Sequence, residues 1–247
     1  MSAYEKLIQA SGAHDAGFCV LIDPDRNTPA EAAARAADAR DAGADIILVG
    51  SSMLITDNFC SAVHEIKCAV DVPVLIFPGN SAQISAEADG MLLLSLVSGR
   101  NPELLIGQHV KAAPTLKSIG LDTIPTGYIL VESGTLTTLE FVSDTRPIPR
   151  NKPDIAMAHA LAAELLGMKL VYLEAGSGAA LPVDPEMIAA CHGYVSVPLI
   201  VGGGIRSGEQ ARAAVDAGAS FVVVGNALER NTGRTLLSEL AAAVHGA

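Results

Sequence analysis

Glycine-rich stretches follow three successive apolar runs in the C-terminal half of the chain. They read YLEAGSGA at 172–179, VGGGIRSG at 201–208 and VVGNALE at 223–229. Glycine lets a ligand approach the backbone closely, and the free N–H groups at a helix start favour an anion. The pattern indicates a site for the phosphate of a small metabolite, at Gly203, Gly204, Gly225 and Asn226. The alternative is that these glycines only permit tight turns.

Carboxylates and hydroxyls follow the first two apolar runs of the chain. Asp23 and Asp25 lie in LIDPDRNTP at 21–29, and Ser51 and Ser52 follow the next run. Carboxylate and hydroxyl oxygens suit Mg²⁺, which keeps several waters and shares its coordination sphere with substrate phosphates. A turn-capping aspartate and a helix-capping serine would produce the same pattern, so a metal site and a structural role both stay open.

Eight short apolar runs alternate with alanine-rich helical segments, which is typical of parallel strands covered by helices. The strands are predicted at 18–22, 45–50, 73–77, 91–95, 127–132, 169–174, 198–202 and 221–225. We therefore expect one (β/α)₈ TIM-type barrel domain over residues 1–247, with the polar stretches gathered at the C-terminal ends of its strands. An open doubly wound sheet is disfavoured because GxGxxG does not follow the first strand.

One outer helix of this barrel is expected to be missing. Between Phe77 and Met91 the chain reads PGNSAQISAEADG, which is rich in turn formers and has little apolar periodicity. The pattern predicts a loop in place of the third outer helix, with a short irregular helix as the alternative. A flank without a helix would suit an oligomer contact or a long apolar ligand.

The composition excludes several classes of partner. The chain has 16 basic and 27 acidic residues, a net charge of −11, which argues against nucleic acid. No apolar run reaches the roughly 18 residues of a transmembrane helix, and the N-terminus lacks the features of a signal peptide. The four cysteines and six histidines have no metal-ligand spacing, so we expect buried reduced thiols, no zinc site and a cytoplasmic protein.

Motifs along nearly the whole chain resemble those of geranylgeranylglyceryl phosphate synthases and their relatives, the prenylglyceryl phosphate synthases. They include LIDPDR at 21–26, VLIFPGN at 74–80, RPIPRNKPDIA at 146–156, YLEAGSG at 172–178 and VGGGIRSGE at 201–209. The combination of YLEAGSG with RPIPRNKPDIA is highly specific. The resemblance implies a modified barrel whose third helix is replaced. It also implies transfer of a prenyl group, with geranylgeranyl expected, from its diphosphate to the 3-hydroxyl of sn-glycerol 1-phosphate in ether-lipid biosynthesis.

The family's site residues carry over to positions of this sequence. Asp23 and Ser52 match its Mg²⁺ sites. The substrate-site matches are Tyr172, Leu173, Glu174, Ala175, Gly176, Ser177, Gly178, Gly203, Gly204, Gly225 and Asn226. Leu21 stands where some relatives have a lysine, so the phosphate must be held without that charge.

The resemblance also implies catalytic roles at the end of the sixth strand. Glu174, next to the phosphate loop, would accept the proton of the attacking hydroxyl. Tyr172 lies two positions earlier, hence on the same strand face, and would orient the glycerol. The alternative for Glu174 is a structural carboxylate that accepts a loop N–H or pairs with an arginine.

Two further segments bear on the prenyl diphosphate. Its long apolar chain needs a groove, and residues 91–99 and 127–141, with the flank at 78–89, are the expected lining. Arg146, Arg150 and Lys152 form a basic cluster in an acidic chain. This cluster would either meet the diphosphate or pair with nearby aspartates such as Asp144 and Asp154.

Two other functions are also compatible with the sequence. One is an isomerase or lyase of the same architecture that acts on a sugar or indole phosphate, and the other is a non-catalytic module that binds flavin or phosphate. A homo-oligomer is expected, either dimer or hexamer, as is a transient membrane-surface contact for product release. Prenyl chain length is not determined by the sequence.

Overall fold

Eight parallel strands close into a barrel in which β1 pairs with both β2 and β8. The computed structural model describes residues 1–12, 14–225 and 234–246. The strands are β1 Gly17–Ile22, β2 Ile46–Val49, β3 Val74–Ile76, β4 Gly90–Leu96, β5 Thr123–Leu130, β6 Leu170–Glu174, β7 Leu199–Gly202 and β8 Phe221–Val224. All eight predicted strands and the predicted barrel are confirmed.

Helices surround the barrel, and several of them begin at a side-chain cap. Thr28 and Glu31 form a capping box at the start of α2, with Pro29 in its first turn. The helices are α1 Ala3–Ser11, α2 Pro29–Asp41, α3 Phe59–Ala69, α4 Gln108–Ile119, α5 Thr138–Ser143, α6 Pro153–Leu165, α7 Pro185–His192, α8 Gly208–Asp216 and α9 Arg234–His245. A π-helical turn at Glu103–Gly107 leads into α4. Within the described ranges, none of these helices has the length and apolarity needed to cross a bilayer.

The third outer helix is absent, as the sequence predicts: residues 77–89, between β3 and β4, form only turns and bends. Gln83 fixes this loop against the barrel. Its fully buried amide accepts the N–H of Ser51 at 3.0 Å and donates to the Ser51 carbonyl at 2.7 Å. The Gln83 side chain thus satisfies the N–H and the carbonyl of Ser51 and holds the loop in place where no helix covers the strands.

The strands separate two apolar layers. One fills the barrel and includes Leu48, Leu92 and Tyr172; α1 closes its N-terminal end with Leu7. The other, which includes Leu173, lies between the strands and the outer helices. Because successive strand residues point to opposite faces, Tyr172 and Glu174 face the barrel interior and Leu173 faces away from it.

The prediction of buried cysteines is wrong for two of the four. Cys19 and Cys191 are buried, whereas Cys60 and Cys68 are exposed, and all four are free. Cys60 and Cys68 lie two turns apart on the solvent side of α3, whose opposite face is occupied by larger apolar residues such as Phe59. The apolar pattern correctly predicts the helix, but its buried face is formed by the other apolar residues and not by the two cysteines.

Candidate active site

A cavity of about 640 Å³ occupies the C-terminal end of the barrel and reaches the flank that lacks a helix. Its volume is in the range of ligand pockets, about 300–1,000 Å³. The polar side is lined by Asp23, Ser51, Ser52, Glu174, Gly176, Ser177, Gly178, Gly203, Gly204 and Gly225. The apolar side includes Phe77, Met91, Leu93, Leu94, Leu96, Leu104, Ala112, Leu139 and Val142. One cavity thus joins the predicted phosphate loops, the acidic strand exits and the predicted groove.

The three consecutive glycines are required by the protein's own neighbouring groups. Gly203 and Gly204 have φ of +82° and +75°, in the left-handed region. A Cβ on Gly203 would lie 2.7 Å from the N of Gly176, and one on Gly204 would lie 2.6 Å from the carbonyl oxygen of Leu181. A Cβ on Gly202 would collide with the Tyr172 hydroxyl. The run therefore lets the loop after β7 pack directly on β6 and the loop that follows it, which places both loops at the cavity.

Glu174 ends β6 and is only 6 % exposed. Burial raises the pKa of its carboxyl to about 7, although hydrogen bonds from the Gly176 N–H and from the hydroxyls of Tyr172 and Tyr128 lower it. The Gly176 N–H donates to Oε1 at 2.6 Å. Near neutral pH the group is therefore divided between its acid and base forms, which suits a general base. The loop N–H contact is the one expected of a structural carboxylate, and the role of Glu174 as a base stays a prediction.

Tyr172 and Tyr128 share Glu174 and form an aromatic cluster with Phe77. The Tyr172 ring stacks on Phe77 with centroids 5.3 Å apart and meets Tyr128 edge-on at 5.2 Å. Burial raises the pKa of both tyrosines well above the usual value, and the negative Glu174 raises it further. Both therefore remain neutral phenols that donate to the carboxylate. Tyr128 pairs with Tyr172 across β5 and β6, a cross-strand register that the sequence alone does not reveal.

Asp23 lies at the end of β1 beside the serines that follow β2. Burial raises the pKa of its carboxyl, which accepts the N–H of Asp25 at 3.0 Å and lies 3.2 Å from the Arg26 guanidinium. The Ser51 hydroxyl contacts it as well, and Ser52 lines the same wall of the cavity. Asp25 instead accepts the N–H groups of residues 55 and 56, so its carboxylate holds that loop.

Comparison with known proteins agrees with this architecture. Residues 12–244 match the PcrB family. The chain belongs to the PcrB family.

Similar proteins are named geranylgeranylglyceryl phosphate synthase. A protein of Chitinophaga pinensis named geranylgeranylglyceryl phosphate synthase is 48% identical over 244 residues, covering 99% of this chain and 96% of the relative. One of Thermococcus gammatolerans with that name is 48% identical over 213 residues, covering 85% and 83%. The structure of (S)-3-O-geranylgeranylglyceryl phosphate synthase from Thermoplasma acidophilum, in complex with the substrate sn-glycerol-1-phosphate, superposes with a TM-score of 0.94. It is 34% identical and covers 100% of both chains.

Two of the site residues predicted from the PcrB-family resemblance do not line the cavity. Leu173 and Ala175 are fully buried in the layer between strands and helices. The alternation of side chains along β6 turns them away from Tyr172 and Glu174, so any contact with substrate would be made by their backbone groups, and their assignment to the substrate site stays a prediction. Asn226 lies outside the described residues, and its predicted role stays a prediction.

The basic cluster lies away from the cavity wall. The Arg150 guanidinium donates to the carbonyl oxygen of Pro182 and lies 3.4 Å from Asp184, a partner that the sequence analysis did not foresee. Arg146 and Lys152 are exposed and do not line the cavity. The contacts of Arg150 indicate a structural role: it ties the segment before α6 to the segment before α7.

Arg206 is a cavity residue that the sequence analysis missed. Its guanidinium donates to the carbonyl oxygens of Ala179 at 2.6 Å and Ala180 at 3.2 Å, and the side chain borders the cavity. It therefore links the loop after β7 to the loop after β6 and brings a positive charge beside the glycines. Its position within VGGGIRSG could have indicated this role, because an arginine next to an anion-binding loop can bind the anion.

Proposed function

We propose that this PcrB-family chain is a geranylgeranylglyceryl phosphate synthase. It transfers the geranylgeranyl group of geranylgeranyl diphosphate to the 3-hydroxyl of sn-glycerol 1-phosphate and releases pyrophosphate, a step of ether-lipid biosynthesis. The observation that carries the proposal is the single cavity in which glycine loops, a buried carboxyl and an apolar channel meet. The Thermoplasma acidophilum relative bound to sn-glycerol-1-phosphate supports the choice of acceptor.

The glycerol phosphate would lie with its phosphate on the glycine loops, in contact with Ser177 and near Arg206. Because Glu174 accepts a hydrogen bond from Gly176 of this loop, a phosphate held on the loop would leave the glycerol hydroxyls near the carboxylate. Tyr172 and Tyr128 hold the carboxylate in place and exclude water from it. The elements that fix these groups are β5, β6 and the loops after β6 and β7.

Catalysis then needs one bond exchange and one proton transfer. The 3-hydroxyl oxygen forms a bond to C1 of the prenyl group, and the bond between C1 and the diphosphate oxygen breaks with its electron pair leaving on pyrophosphate. Glu174 takes the hydroxyl proton as that oxygen attacks. A carboxyl whose pKa is about 7 can accept the proton near neutral pH.

Asp23 and Ser52 would hold Mg²⁺. Their donor set fits the ion: a half-buried carboxylate and a hydroxyl, with hard oxygen ligands at an open cavity wall. Burial raises the pKa of Asp23, so a nearby cation would favour its ionised form. When bound, Mg²⁺ supplies charge neutralisation to the leaving diphosphate. Arg26, 3.2 Å from Asp23, adds a further positive charge on the same side.

The prenyl chain would occupy the apolar side of the cavity, between β4, α4 and α5, and approach the flank where the outer helix is absent. Large apolar side chains are exposed on these helices and the segments that lead into them: Val110 on α4, Phe141 on α5, Ile106 in the π-helical turn and Leu136 just before α5. They support a transient contact with a membrane surface, from which the substrate arrives and to which the product returns.

The decisive experiment offers labelled sn-glycerol 1-phosphate together with farnesyl, geranylgeranyl or heptaprenyl diphosphate and follows label in an organic-soluble product. We expect label in that phase and stoichiometric pyrophosphate, fastest with geranylgeranyl diphosphate. Turnover of a sugar or indole phosphate without any prenyl transfer would instead favour the isomerase or lyase. A purified yellow protein without turnover would favour the flavin-binding module.

A further inference from the structure

Three distant segments of the chain meet at the N-terminal end of the barrel, opposite the cavity. His14 lies in the loop between α1 and β1, Asp45 directly precedes β2, and His245 is the last residue of α9. Neither histidine belongs to the site described above. The two histidines lie near opposite ends of the sequence, so no short sequence motif indicates that they meet.

The ligating atoms of these three residues are close together. One such atom from each residue lies within 4.8 Å of the other two. The His245 Nε2 is 2.8 Å from Asp45 Oδ2, and the His14 Nε2 is 3.9 Å from Asp45 Oδ1. Two ligands bound to one tetrahedral ion at roughly 2.0–2.1 Å lie about 3.3 Å apart. The observed separations bracket that value, so the three groups are close enough to share one ion once the His14 ring turns.

Two of the three groups are already fixed. The side chains of Asp45 and His245 are only 12 % and 13 % exposed. Asp45 Oδ2 also accepts the N–H of Phe18 at 2.7 Å, the kind of outer contact that orients a metal-binding carboxylate. His14 is more exposed, and its ring stacks on that of His245 with centroids 3.7 Å apart. An ion must lie near the plane of each imidazole, so His14 is the ligand that turns on binding.

The cluster is a place where a cation would meet little electrostatic repulsion. The three residues border an open cavity of about 550 Å³ to which Asp71 also contributes. Among its described lining residues there is no lysine or arginine. Asp71 lies 3.3 Å from Arg40, and the neighbouring Asp15 lies 2.9 Å from Arg212, so both carboxylates already have partners outside the cavity.

We propose that His14, Asp45 and His245 form a binding site for a divalent transition-metal ion of the Zn²⁺ type. Two imidazoles and one carboxylate are a donor set that such ions accept, with the remaining position filled by water. The ion joins the segment before β1, the segment before β2 and the end of α9. Because it binds only where these segments are assembled, it stabilises the folded protein. The site is independent of the proposed prenyl transfer.

The test measures Zn²⁺ binding to the full chain after removal of metals by a chelator. Its parent is the Cys60→Ser, Cys68→Ser double variant, because Cys68 Sγ lies 3.9 Å from His64 Nε2 and offers Zn²⁺ a second place. Excess Mg²⁺ is present throughout to occupy the acidic wall near Asp23. We expect calorimetry to show one Zn²⁺ per chain and the unfolding temperature to rise with Zn²⁺ concentration.

Single substitutions then assign the ligands. His14→Ala and His245→Ala should each weaken Zn²⁺ binding by at least about tenfold and reduce the gain in unfolding temperature. His159→Ala, a histidine on α6, is the matched control and should bind like the parent. Co²⁺ in place of Zn²⁺ gives a visible absorption band that reports the ligand set even if a variant loses stability.

The proposal is overturned if the parent binds no Zn²⁺, or if both histidine variants bind it as tightly as the parent. Neither result involves the reaction, so failure here leaves the proposed prenyl transfer untouched. Conversely, loss of prenyl transfer in a separate assay would not bear on this site.

Discussion

Among the single residues, Glu174 supports a loop and is also the proposed general base. It supports the loop after β6 through the Gly176 N–H, and it keeps lone pairs available beside two neutral phenols. The hydrogen bond from Gly176 holds the carboxylate in place without removing its capacity to accept a proton. Its contribution to catalysis can therefore be separated from its contribution to structure by a substitution that preserves its shape.

Glu174→Gln should lower kcat by about 10²-fold or more while glycerol phosphate binds within a few-fold of wild type. The amide oxygen still accepts the Gly176 N–H, but it cannot take a proton from the hydroxyl. Steady-state kinetics together with calorimetry of sn-glycerol 1-phosphate would check this, with Glu65→Gln on the exposed side of α3 as control. Lost binding with an intact kcat would make Glu174 a positioning residue.

The pH dependence of the reaction should report the same carboxyl. Burial raises its pKa to about 7, and the base form is the ionised one. Below that pH, kcat/KM should therefore fall tenfold for each unit, and above it the curve should level off. In Glu174→Gln the residual activity should lack this acidic limb. A wild-type profile that is flat across neutral pH would contradict the assignment.

Asp23→Asn should impair the reaction through the metal. An amide oxygen is a weaker ligand than a carboxylate, so the Mg²⁺ concentration for half-maximal activity should rise by about tenfold or more. Titration of activity with Mg²⁺ measures this directly, and excess EDTA should abolish the activity of the wild type. Full wild-type activity in EDTA would remove Mg²⁺ from the mechanism.

Among the elements, two shape the apolar side of the cavity: the loop that replaces the third outer helix between β3 and β4, and the start of α4. The π-helical turn at Glu103–Gly107 leads directly into α4, and Leu104 and Ala112 from this region line the cavity. Turns of this type commonly occur at functional sites. A small side chain at Ala112 leaves room that a larger one would fill.

Ala112→Trp should shorten the prenyl chain that the enzyme accepts. The indole would enter the channel, so kcat/KM for geranylgeranyl diphosphate should fall by about tenfold or more and that for farnesyl diphosphate by less. Ala113→Trp, on the exposed side of the same helix, is the matched control. Equal losses for both diphosphates in Ala112→Trp would indicate a disturbed fold and no channel at this position.

For the molecule as a whole, the exposed Phe141 lies on α5 together with the cavity-lining residues Leu139 and Val142, while the chain carries a net charge of −11. The two features act in opposite directions at a membrane. Apolar side chains favour insertion among lipids, and the negative charge opposes an anionic surface. The balance predicts weak, reversible association that depends on lipid composition.

Phe141→Ser should reduce co-sedimentation with phosphatidylcholine vesicles by up to about tenfold, because Phe141 is 76 % exposed on α5. Leu165→Ser is the control: it removes a comparably exposed residue at the end of α6, which leads into the opposite end of the barrel. Vesicles rich in phosphatidylserine should bind the wild type less well than neutral ones. Equal effects of the two substitutions would place the membrane contact elsewhere.

Local sequence patterns were enough to predict the barrel, the missing outer helix and most of the polar residues at the strand ends. These features depend on local patterns: apolar runs of strand length, helix caps such as Thr28, and turn formers after Phe77. Strand alternation was also available from the sequence. Applied strictly to β6, it would have predicted that the side chains of Leu173 and Ala175 point away from the cavity.

Which groups meet depends on how the barrel closes. The proximity of Tyr128 to Glu174 depends on the register between β5 and β6, and the elevated pKa of Glu174 depends on burial that no single segment produces. The link from Arg206 to the loop after β6, and the meeting of His14, Asp45 and His245, likewise join segments remote along the chain. Periodicity reports neighbours within an element, whereas closure of the barrel brings distant residues within a few ångströms of one another.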